Sequence, residues 1–80
     1  MKAIVRVGLK SGVLDPQGKA VADTLGRMGY TEVEAARIGK IIELDLEDGL
    51  GSAEADARVR EMCEKLLANT VIESYSYELK

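Results

Sequence analysis

Eighty residues with 11 basic and 14 acidic side chains, a formal charge of −3 and 46% hydrophobic residues describe one domain, 1–80, with a modest core. The charges are spread along the chain instead of gathered into a basic stripe, which argues against nucleic acid, and no apolar run approaches membrane-spanning length. A domain of this size buries only about 60% of its unfolded surface, so association that covers more apolar area is an expected source of stability.

Lys2 to Leu9 alternate, with Ala3, Val5, Val7 and Leu9 on one face and Lys2, Ile4, Arg6 and Gly8 on the other, the pattern of a half-buried strand. Met1-Lys2 leads straight into it without the apolar region of a signal peptide, and the single cysteine, Cys63, can form no disulfide within the chain. A cytoplasmic location is the expectation.

The run from Leu9 to Gly18 joins this strand to a well-specified helix start. Gly12 suits a turn, Asp15 can accept a backbone N–H as N-cap, and Pro16 fits the first helical position. Val13 and Leu14 are apolar where a turn is normally polar, so they belong either to the core or to a partner interface. The helix runs from Pro16 to Met28 with Val21, Leu25 and Met28 on one stripe and Gly29 as its stop. Gly18, Ala22 and Gly26 repeat every fourth residue, a small-residue face suited to close packing within the domain or between subunits.

Between Glu32 and Leu46 the apolar phase changes: Val33 and Ala35 share one parity, and Ile38, Ile42, Leu44 and Leu46 the other. We read a long strand with a bulge at Gly39 in preference to a hairpin, because Ile38 is poorly suited to a positive φ. After an acidic, glycine-rich loop, Ser52 is the expected N-cap of a second helix with Ala55, Val59, Met62 and Leu66 on its apolar stripe and Cys63 and Leu67 beside it. Asn69 is the expected left-handed terminator. From Val71 alternation returns, with Tyr75, Tyr77 and Leu79 on the face of Val71. The order β-α-β-α-β, with a long bent central strand, predicts a two-layer ferredoxin-like α/β sandwich with two helices on one sheet face.

Little of the sequence carries chemistry. There is no histidine, so the commonest general base and metal ligand is missing. Cys63 reads as a small buried hydrophobe. Asp45, Glu47 and Asp48 lack the spacing of a calcium loop, and the glycines around residues 8 to 18 lack both common phosphate-cradle patterns. Asp15 would also repel an anion at the helix start. Arg6, Arg37 and Lys40 read chiefly as charges protecting strand edges, with a basic patch for a partner as the second reading.

The Leu9–Gly18 run, together with Arg37-Ile38-Gly39-Lys40 and the stretch from Leu66 to Tyr75, resembles the PurS family, the small subunit of phosphoribosylformylglycinamidine synthase. The similarity covers essentially the whole chain. Thr70 departs from it, standing where many relatives have proline, which loosens one turn and restores a backbone donor. The resemblance implies an accessory, non-catalytic subunit in de novo purine biosynthesis. Its partners would be a glutaminase subunit and a large ATP-dependent synthetase subunit, with ammonia passing between those two. ATP and Mg2+ would serve the glutamine-dependent ligase holoenzyme, and this chain alone would bind no cofactor. A homodimer or homotetramer would present Leu9, Lys10, Gly12, Val13, Leu14, Asp15, Pro16, Gln17 and Gly18 to the larger subunits, with Arg6, Arg37 and Lys40 as weaker interface candidates. The alternative is a ferredoxin-like module that binds a small regulatory metabolite, since one fold can serve either role.

Overall fold

A computed structural model describes residues 1–80. Strand β1 spans Lys2–Leu9, helix α1 Pro16–Arg27, β2 Gly39–Asp45, α2 Ser52–Met62 with a π-helical turn over Cys63–Leu67, and β3 Glu73–Leu79. The sheet is antiparallel in the order β2-β1-β3, with Val5 opposite Ile42 on one side and Tyr77 on the other. This is a small ferredoxin-like α/β arrangement, as the sequence predicts, but of the two helices expected on one sheet face α2 alone packs against the core.

Strict alternation places Ala3, Val5 and Val7 on the inner sheet face, where they are buried against Val59, Cys63 and Ala68. Ile42, Leu44, Tyr75 and Tyr77 flank this core on the two outer strands. The opposite face is polar and cross-linked by ion pairs, Lys2 to Glu43 at 3.7 Å and Arg6 to Glu78 at 2.8 Å. Tyr77 closes the α2 side by donating its hydroxyl to the Asp56 carboxylate at 2.8 Å.

Several local expectations are corrected. The strand expected over Glu32–Leu46 forms a ladder over Gly39–Asp45 alone. Pairing stops where the apolar phase changes, because β1 offers no partner beyond Gly8, which lies opposite Gly39. Neither a bulged ladder nor a hairpin forms at Gly39, and Val33–Ile38 has no strand partner within the chain.

The buried face of α2 is Ala55, Val59 and Cys63, with Leu67 half-buried, in place of the predicted Met62 and Leu66. A constant spacing of four drifts around an α-helix, and the wider π turn, closed by the Ala68 N–H on the Cys63 carbonyl, takes up the drift. Leu66 is thereby turned outward, 81% exposed. Gly51 replaces Ser52 as N-cap, with no side-chain cap bond. Asn69 does not adopt a left-handed conformation, since only glycines have positive φ. Its side chain accepts the Val71 N–H at 3.2 Å and its own N–H donates to Glu73 at 2.7 Å, forming a turn that leaves Val71 outside β3.

Helix α1 stands apart from this core. Of its residues only Gly18 is buried, while Val21 and Met28 of the predicted stripe are exposed and Leu25 is half-buried. The helix lies instead on the segment leading into β2. A Cβ on Gly18 would sit 2.2 Å from the Ala36 carbonyl oxygen, so of the small-residue face Gly18 serves close packing within the chain, whereas Gly26 borders open space. The molecule is elongated as a result, 51 × 24 × 14 Å, with a radius of gyration of 16.3 Å against about 12 Å for a compact chain of this length.

Replacing Val59 by Ala is expected to cost about 2 kcal/mol, because it removes two methyl groups from the fully buried centre. In thermal unfolding at fixed protein concentration this appears as a drop in Tm of roughly 8–16 °C. Leu66→Ser should change stability by less than about 0.5 kcal/mol.

Candidate functional site

The Leu9–Gly18 loop is held by two oppositely charged side chains, each bonding mainly to backbone. The Asp15 carboxylate accepts the Gly18 N–H at 2.8 Å as the predicted N-cap, and its second oxygen accepts the Ile38 N–H at 2.9 Å. Arg37, next to Ile38, reaches back across the loop. Its guanidinium donates to the Leu9 and Lys10 carbonyls, each at 2.9 Å, and lies 3.5 Å from that of Val13. A planar fork is suited to gathering several carbonyls at once, whereas an ammonium is not. Together the two side chains clasp the start of α1 to the segment entering β2.

The clasp determines which loop residues are available. Gly12 has φ +88°, the turn conformation predicted for it, and Pro16 occupies the first helical turn. Gly18 is buried under Ala36, so it forms part of the support and not of the exposed surface. Val13 is half-buried, whereas Leu14 is 76% exposed. The two apolar residues thus divide between interior and surface. Lys10 and Gln17 are exposed, and Leu9 is half-buried at the end of β1. Beside Leu14 a hollow of about 420 Å3 is bordered by Lys19, Asp23, Glu34 and Arg37. Its rim carries both signs of charge and favours no simple anion or cation.

The three basic candidates are not gathered into one patch. Arg37 is engaged in the clasp, and Arg6 is bonded to Glu78 on the outer face, where it holds that carboxyl below its ordinary range. Lys40 lies opposite Val7 and so in the other row of side chains, exposed and without an ion pair. No group of three or more acidic, cysteine or histidine side chains is placed to hold a metal ion. Burial pushes the Cys63 thiol up, away from reactive thiolate chemistry.

Sequence reasoning missed Ala36 and Ile38 as the partners of Gly18 and Asp15. A cap residue announces its own helix, but nothing local marks a second hydrogen bond 23 residues away. The change of apolar phase just before Gly39 was the available signal that this segment leaves the sheet.

Against known proteins, residues 2–80 match the family model described as PurS, phosphoribosylformylglycinamidine (FGAM) synthase. The chain is 54% identical over 79 residues to the Bacillus subtilis phosphoribosylformylglycinamidine synthase subunit PurS, covering 99% of this chain and 92% of that protein. The corresponding Methanocaldococcus jannaschii subunit is 39% identical over 79 residues, with the same coverage. The B. subtilis PurS structure superposes with a TM-score of 0.87, spanning 99% of this chain and 96% of that one. A chain in the structure of PurLQS from Thermotoga maritima gives 0.86 at 32% identity, spanning 96% and 93%.

The clasp has a pH signature. The Ile38 N–H, then the Gly18 N–H and the Arg37 charge, hold the Asp15 carboxyl below its ordinary value. Its contribution is therefore complete above the unfolded value of about 4 and is lost as pH falls through the lower folded value. The Gly18 and Ile38 amide resonances should be steady from pH 7 to 5 and shift together only below about pH 4. Gly18→Ala should destabilise the helix start by about 1–3 kcal/mol, measured by denaturant unfolding, since the added methyl meets backbone.

Proposed function

The chain belongs to the PurS family of phosphoribosylformylglycinamidine synthase subunits, and from that membership we propose that it is a non-catalytic subunit bridging the enzyme's glutaminase and ATP-dependent synthetase subunits. The observation that carries this reading is the match over residues 2–80, nearly the whole chain, to a family named for that enzyme. The PurLQS structure supports it, because its PurS-like chain has the same fold as this one.

The residues fit a role made of surfaces. A bridging subunit needs a fixed backbone and apolar contact points, and the clasp supplies the first while Leu14 supplies the second. The sequence has no histidine to act as general base. Glutamine hydrolysis, and activation of the formylglycinamide ribonucleotide amide with ATP and Mg2+, are assigned to the partners. The chain acts as a homodimer or homotetramer, and Lys10 makes a polar contact at the rim of the Leu14 interface.

Reconstitution tests the role directly. Glutamine-dependent amidine formation by the two larger subunits, supplied with ATP and Mg2+, should rise when this chain is added, and native mass spectrometry should show a ternary complex. Equal activity with and without it overturns the proposal. Saturable binding of an amino acid or nucleotide to the isolated chain, with no ternary complex, would favour the metabolite-binding module instead. Leu14→Asp should weaken assembly at least about tenfold, as expected for an apolar anchor. At its exposure the substitution should move Tm little, and unchanged affinity would remove Leu14 from the interface.

A further inference from the structure

Helix α2 carries a second apolar surface that nothing in the chain covers. Met62 and Leu66, one turn apart, are 38% and 81% exposed, and with Arg58, Glu61 and Lys65 they border a hollow of about 260 Å3. Arg58, Glu61, Met62 and Lys65 stand at i, i+3, i+4 and i+7. Side chains at these four positions frame the hole that receives one knob of a facing helix.

The helix departs from regular geometry where this surface lies. Continued α geometry would set Leu66 and Leu67 on either side of the buried Cys63, both turned toward the core. The π turn over Cys63–Leu67 keeps Cys63 buried and Leu67 half-buried while turning Leu66 out, and such single turns recur at functional positions. The rim of the hollow is also electrically one-sided. Lys65 donates to the Glu61 carboxylate at 2.8 Å, so those two charges offset each other, whereas Arg58 is exposed and forms no ion pair. One uncompensated guanidinium thus stands beside two exposed apolar side chains.

We infer that this face of α2 receives an acidic amphipathic helix of one of the larger subunits, which places an apolar side chain in the hollow and a carboxylate on Arg58. The inference rests on the subunit role proposed above and adds to Leu14 a contact surface made by α2. A helix fits because the hole has helical spacing, whereas an extended segment binds along an open strand edge, which α2 does not have. Charge decides against a second copy, since the same face of another copy brings the same net cation to the contact. A carboxylate instead meets the guanidinium in two parallel bonds, beside apolar side chains that exclude water from them.

Titration of this chain into the two larger subunits, followed by native mass spectrometry, provides the test. Leu66→Ser and Arg58→Glu alter exposed positions and should leave Tm and circular dichroism nearly unchanged, yet each should weaken ternary assembly at least about tenfold. Wild-type affinity in both variants overturns the inference. A second measurement does not depend on how those variants fold. In the assembled enzyme, the photoreactive variant Leu66→p-benzoylphenylalanine should cross-link to a helical segment of a larger subunit that carries Asp or Glu, and changing that carboxylate to Lys should restore assembly with Arg58→Glu. Cross-linking to another copy of this chain alone overturns the inference, as does a charge exchange that restores nothing. Activity separates the two readings: a wild-type chain that raises activity while both variants assemble as well as it does keeps the subunit role and loses this surface, whereas a wild-type chain without effect on activity overturns the role and the inference with it.

Discussion

Strand β1 is the one element to which both other strands bond, and the arrangement of the molecule follows from that. Its residues must satisfy a neighbour on each side, and its alternation must put Ala3, Val5 and Val7 under α2 at the same time. The three small side chains let the helix come close, which is how so short a chain forms a core. They also limit that core, since only eight residues of 80 are buried and none of the buried ones is larger than valine. With β1 in the middle, β2 and β3 are both edges, so the sheet that stabilises the monomer also exposes two rows of unpaired backbone groups.

The clasp resolves a different problem. After β1 the chain must turn, begin α1 and return, yet α1 does not rest on the main core. Asp15 and Arg37 hold the two ends of that excursion with bonds chiefly to backbone, so the loop keeps one shape without a hydrophobic interior of its own. Such bonds are local and tolerant of what lies outside. They hold the exposed apolar side chain of Leu14 at a defined position.

In the proposed role the chain works through its surfaces. Its informative residues are glycines, a proline, a cap and a guanidinium on carbonyls, all of which define backbone shape. The ionisable groups with shifted acidity are explained by these structural contacts or by burial: Asp15 by its N–H donors, Glu78 by Arg6 and Cys63 by its apolar surroundings. Membership of the PurS family places the chain among the subunits of phosphoribosylformylglycinamidine synthase.

Signals within a few residues of each other were enough for β1, the capped start of α1, the presence of α2 and the final strand, because alternation, a cap and a proline act over one or two turns of chain. The partition of Val13 from Leu14 was not legible, since both are apolar neighbours and only the folded loop decides that Val13 is half-buried and Leu14 exposed. Nor was the outward turn of Leu66, which depends on a π turn accommodating a fourfold spacing. The short ladder of β2 and the unpaired segment leading into it were settled by where β1 ends, at a contact between residues 31 positions apart. Pairing of that kind depends on a partner brought close by folding, and the side chains of the segment itself carry no mark of whether that partner is present.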